Sequence, residues 1–147
     1  MSASRLRARL LTFGLAVVVG GCGASQKPDR AASADEVAAR AQRSFEAGDS
    51  QLGIELATRA LVLRIARHGI EHRESARSFL QLGDMRYALG QRGWARQSYV
   101  RGLEVLAADR SCADRLAECF REKQSLERSL RRRLDNVQRG VDAKKRQ

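Results

Sequence analysis

His68 and His72 stand four residues apart, the spacing that puts two imidazoles on one side of a helix where they could share a metal ion. The run reads HGIEH, however. A glycine interrupts it, and its carboxylate does not fall where a His-Glu-x-x-His protease carries its base. No third ligand is set by the spacing. Cys112 and Cys119 form the other reactive pair. In one continuous helix their Cα atoms would lie about 10.5 Å apart, beyond the roughly 7 Å that a disulfide spans. Ser111 and Asp114 both suit an N-cap. With Asp114 as the cap, Cys112 falls in the preceding loop and a Cys112–Cys119 disulfide can close; otherwise both remain thiols. The chain has no Gly-x-Ser-x-Gly, no Cys-x-x-Cys and no phosphate-binding glycine motif. These residue types lead us to expect no enzyme, no metal and no cofactor.

The elements available to position side chains are helical. Of 147 residues, 43% are hydrophobic, mostly Ala, Leu and Val, and only 5% are aromatic, with a single Pro and a single Trp. That is a helix former's composition, and it argues against a β-sandwich or a disulfide-dense miniprotein. The length allows one modest domain. Lys and Arg number 28 against 17 acids, a formal +11.

The N-terminus reads as an address. Arg5, Arg7 and Arg9 precede an apolar run over 10–19, followed by Gly20, Gly21 and Cys22. Ten apolar residues rise about 15 Å as a helix, half the roughly 30 Å of a bilayer core, so a permanent membrane span is not expected. The run Val19-Gly20-Gly21-Cys22 resembles a bacterial lipobox, with Val and Gly at the two places where the pattern prefers Leu and then Ala or Ser. The resemblance implies a lipoprotein signal peptide over 1–21 and a lipidated Cys22 as the mature N-terminus. Several acyl chains at about 0.8 kcal/mol per buried CH₂ would hold the protein to a membrane. Gly23 is not the Asp that retains such proteins at an inner membrane, which implies the periplasmic face of the outer membrane in a diderm cell. Residues 22–32, small, polar and containing the only Pro, read as a flexible tether.

Two stretches correspond at an offset of 42 residues: 41–61 (AQRSFEAGDSQLGIELATRAL) and 83–103 (GDMRYALGQRGWARQSYVRGL). Small residues coincide at Ala41/Gly83, Gly48/Gly90, Gly53/Ala95 and Ala60/Gly102, an aromatic at Phe45/Tyr87, and a leucine at Leu61/Leu103. The pattern is a helix, a tight glycine turn and a second helix, twice. Periodicity gives helices over about 33–47, 50–67, 73–89 and 91–108. Ser33 and Glu36 form a capping box at the first, and Tyr87, Trp94, Tyr99, Leu103 and Leu106 are expected inward in the second pair. This arrangement resembles the tetratricopeptide repeat, in its kinesin-light-chain-like subclass of longer period, over about 34–108. The resemblance implies an all-α solenoid of two helical hairpins over 33–108. In that family the first helix of each repeat lines a concave surface that holds a peptide or partner helix. Carried over place by place, the partner-binding residues are Asp35, Gln42 and Phe45, then Arg77, Asp84 and Tyr87.

A further shift of 42 residues breaks the pattern, because Ser125 and Arg132 replace the small residue and the turn glycine. Residues 109–139 therefore read as one long helix with a basic tail at 140–147. The helix either caps the open end of the solenoid or serves as a coiled-coil partner. Residues 121–147 hold ten basic and four acidic groups. They form a solvated face, or they meet an anionic lipid surface or an acidic cell-wall polymer. Export and the absence of any aromatic after Phe120 argue against nucleic acid. The expected function is a lipid-anchored, envelope protein–protein interaction module. The alternatives are a structural spacer with a basic contact helix, or an accessory subunit of a cell-wall enzyme or of a pilus or secretion machine.

Overall fold

Five helices follow one another in the computed structural model, which describes residues 32–112 and 117–145. They are α1 (Ala34–Glu46), α2 (Ser50–His68), α3 (Arg73–Ala88), α4 (Arg92–Ala108) and α5 (Glu118–Lys145). No strand occurs among the described residues. The signal sequence over 1–21, the lipidation site Cys22, nearly all of the tether and the N-cap candidate Asp114 lie outside the described residues. No described helix is long and apolar enough to cross a membrane.

The starts of the first three helices are written in their caps. The Ser33 hydroxyl accepts from the Glu36 amide at 3.2 Å, and the Glu36 carboxylate accepts from the Ser33 amide at 2.7 Å. Asp49 accepts from the Leu52 amide at 3.2 Å, and His72 Nδ1 accepts from the Glu74 amide at 3.2 Å. The two hairpins turn at Gly48 and Gly90, with φ of 92° and 71°. A Cβ at either would meet nothing within 4 Å, so glycine is there for its backbone and not for space.

Inside the hairpins the reverse holds. A Cβ on Gly53 would come within 2.8 Å of Phe45 Cβ, and one on Gly83 would collide with the Tyr99 ring. Ala41, Ala57, Ala60, Ala76 and Ala95 are fully buried. Small residues thus let consecutive helices close on each other, and Tyr99, Leu82 and Met85 fill what remains.

The fifth helix closes the stack. Lys123 Nζ donates to the Asp109 carbonyl at the end of α4 (2.7 Å), and Arg92 at the start of α4 donates to the Gly140 carbonyl (3.1 Å). The two helices are therefore antiparallel. Leu126, Leu130 and Val137 enter the cluster formed by Ala76, Ala95, Tyr99, Val105 and Leu106. A Cβ on Gly102 would stand 2.9 Å from Leu130 Cδ2, so this glycine makes room for the helix that follows.

Three expectations change. Trp94 is 60% exposed, with the Arg86 guanidinium carbon 5.6 Å from its ring centroid. It precedes Ala95 by one residue, about 100° around the helix from the buried stripe of Ala95, Tyr99, Gly102 and Leu106. Tyr87 is 41% exposed, being two residues past the buried Met85 and so on another face. Finally, α5 begins at Glu118 and not near 109, and it runs on to Lys145 through most of the stretch read as a tail. Cys112 is left in the loop, its Cα 5.6 Å from that of Cys119, and the two form a disulfide.

Candidate partner-binding groove

α1 and α3 run side by side and leave between them a groove of about 450 Å³. From α1 it is lined by Ala38, Ala39 and Gln42, and from α3 by Arg77, Leu80, Gln81 and Asp84. Gln81 bridges its walls by donating to the Ala38 carbonyl at 3.0 Å. Three of the residues picked from the sequence, Gln42, Arg77 and Asp84, meet here. Asp35, Phe45 and Tyr87 do not line it.

Asp35 has another task. Arg64 of α2 is buried, and a buried guanidinium is tolerated only when its donors are satisfied. Asp35 accepts from it at 2.7 Å and Ser78 at 2.8 Å, with Glu74 at 3.8 Å. The hydrogen bond from Arg64 is the main cause holding the Asp35 carboxyl below its ordinary pKa, against a smaller opposing effect of burial. Phe45 is half-buried and packs against the core that holds Ala41 and Leu82, where its Cβ faces Gly53. Tyr87 sits at the last turn of α3, beyond the groove's end.

The groove's charges are balanced from within the chain. Arg77 pairs with Glu74 at 3.2 Å and with Glu122 of α5. Asp84 accepts the Tyr99 hydroxyl at 2.8 Å and pairs with Arg133 of α5 at 2.9 Å. A ligand carboxylate would compete with two resident acids for Arg77, and a ligand cation would compete with Arg133 for Asp84. What remains to a ligand is the exposed Ala39, the half-buried Leu80 and the amide of Gln42. Gln42 donates to Glu46 at 2.8 Å, an exposed bond that a ligand can replace.

Sequence reasoning missed Leu80 and Gln81, although they stand three and four residues after Arg77, the spacing that keeps side chains on one helical face. It also missed Glu122 and Arg133, for which no local signal exists.

The remaining polar cluster lies between the α2–α3 and α4–α5 loops. His68 and His72 stack with ring centroids 4.7 Å apart and planes inclined by 16°. Among the described residues no group of three His, Cys, Asp or Glu gathers to hold a metal ion. The pKa of His72 is lowered from its ordinary value, first by burial and then by His68 and Arg73, against the opposing charges of Asp109 and Glu74. Arg73 donates to Cys119 Sγ at 2.9 Å and to Ser111 at 3.0 Å, which ties the start of α3 to the disulfide.

Comparison of the chain with protein-family models, with curated proteins and with solved structures finds no match.

Proposed function

We propose that the chain is a lipid-anchored interaction module of the bacterial envelope, in which a tetratricopeptide-like stack presents the α1–α3 groove to a peptide or helix of a partner protein. The anchor is Cys22, and its proposed place is the outer membrane, facing the periplasm. The 42-residue correspondence supports the repeat reading. Its paired positions serve as equivalent turns at Gly48 and Gly90 and as equivalent buried contacts at Ala41/Gly83 and Gly53/Ala95. One observation carries the binding reading. The groove's two charged residues are neutralised by Glu122 and Arg133, while Ala39, the half-buried Leu80 and the Gln42 amide remain to receive a ligand. Such a lining suits an apolar or amide-bearing segment better than a charged one.

A second reading, that of a spacer whose basic helix meets an anionic lipid or wall surface, is favoured by the exposed Arg128 and Arg132 on α5.

Two measurements test the proposal. Intact-mass analysis of the membrane-extracted protein should show loss of residues 1–21 and added acyl chains on Cys22. A Cys22→Ala form that fractionates with membranes as the wild type does contradicts the anchor. For the groove, Ala39→Glu sets a charge at an exposed lining position, away from the core that Leu80 packs against, and should weaken partner binding by roughly 2 kcal/mol or more. Binding that ignores Ala39→Glu but falls steeply with salt would favour the spacer reading.

A further inference from the structure

A larger concavity, of about 670 Å³, opens between α4 and α5 and shares no lining residue with the α1–α3 groove. Its apolar lining includes Leu103 and Ala107 of α4 and Leu134 of α5. Along α5 it is bordered by Lys123, Glu127, Arg131 and Asp135. These four residues recur at every fourth position and so form a single ridge on the helix surface.

Their signs alternate: positive, negative, positive, negative. That order is its own complement when the helix is turned end for end. With the turning point at Ser129, Lys123 comes opposite Asp135 of a second molecule, and Glu127 opposite its Arg131. Both contacts are attractive, and the twofold axis repeats each, which gives four in all. A twofold interface demands this property, because the same patch must meet itself.

The four groups are available for such contacts. Glu127 and Arg131 pair within the helix at 2.6 Å, an exposed contact that is cheap to exchange. Lys123 gives one hydrogen to the Asp109 carbonyl and keeps two donors. Asp135 is exposed, and among the described residues no ion pair to it is found.

We propose that the α4–α5 face is a homodimer interface, with the α5 helices of two copies of this chain packed antiparallel about a twofold axis near Ser129. Two ridges of this kind interlock at a crossing angle of about −50°. Leu103, Ala107 and Leu134 supply apolar area beside the ridge. The alternating charges fix the register and disfavour a parallel pairing, in which like charges would face each other. The α1–α3 groove of each copy stays open, so the proposal stands apart from the groove reading.

The test exchanges charges in the full chain, purified in density-matched detergent, with mass read by sedimentation equilibrium. The wild type should reach twice the protomer mass. Glu127→Arg makes the centre of the ridge uniformly positive, and Arg131→Glu makes it uniformly negative. Each variant should dimerise at least about tenfold more weakly than the wild type. An equimolar mixture of the two should recover the dimer, because their ridges complement each other. The double exchange Glu127→Arg/Arg131→Glu, which keeps both charges and the intrahelical pair, should dimerise as the wild type does. A wild type that stays monomeric up to about 100 μM overturns the proposal. So do single variants that associate like the wild type, or folded single variants whose mixture stays monomeric.

Discussion

Arg133 of α5 lies 2.9 Å from the Asp84 carboxylate of α3, which also accepts the hydroxyl of the buried Tyr99 of α4 at 2.8 Å. One carboxylate therefore joins three helices. The pKa of the Tyr99 hydroxyl is raised, first by burial and then by the hydrogen bond to Asp84, so it stays protonated and donating throughout the physiological range. The ion pair and the hydroxyl bond differ in value. Arg133 and Asp84 are both partly exposed, and water screens their attraction. The Tyr99 hydroxyl has no such relief, because its residue is fully buried.

Asp84→Ala should consequently destabilise the fold by about 1–3 kcal/mol, the cost of leaving a buried hydroxyl unpaired. Arg133→Ala should cost about 1 kcal/mol or less. Urea denaturation of the two variants gives the comparison. Equal losses would show that the ion pair, and not the hydroxyl, is what Asp84 maintains.

Close packing makes a second, two-sided prediction. Ala95 is fully buried where α4 meets α3, and Ala95→Leu should overpack that contact by about 1–3 kcal/mol. Leu130 is fully buried where α5 meets Gly102, and Leu130→Ala should cost about 2–5 kcal/mol. A Leu130→Ala protein with an unchanged melting midpoint would mean that α5 does not seal the stack.

The start of α3 should respond to acid. His72 caps it through the Nδ1 lone pair, and its folded pKa lies below the ordinary value of 6.5. The unfolded chain then binds the proton more readily, so this contribution is complete above the ordinary value. It is lost as pH falls from there through the folded value. Protonation also converts the capping acceptor into a donor. The melting temperature should drop between about pH 7 and pH 5. A His72→Ser variant, which caps without titrating, should flatten that part of the profile. A wild-type midpoint that rises on acidification over this range would contradict the assignment.

Much of the scaffold was legible in the sequence because its causes are local. The Ser33–Glu36 capping box and the turn glycines Gly48 and Gly90 act within a few residues, and the first four helices start and end within one residue of their periodicity. The all-helical class follows from the same local propensities. Trp94 misleads because hydrophobicity favours burial, whereas the one-residue offset from Ala95 decides the face. The candidate groove was legible in half. Helical spacing brought Arg77 and Asp84 together, but their partners Glu122 and Arg133 are 45 and 49 residues away, and no local pattern announces a pair at that distance. Asp35 looked like a surface ligand because the need of Arg64 for a carboxylate appears only once α1 and α2 are packed.

Whether the α1–α3 groove receives a partner segment can be read by site-specific photocrosslinking in membranes of cells that make the protein. A photoreactive residue at Gln81 lies in the groove, whereas one at Val62 lies on an exposed part of α2. A discrete adduct to another protein should form from position 81 and none from position 62, and the adduct should be lost when Ala39→Glu is added. Adducts of equal yield from both positions, or an adduct at 81 that survives Ala39→Glu, would contradict a groove-bound partner.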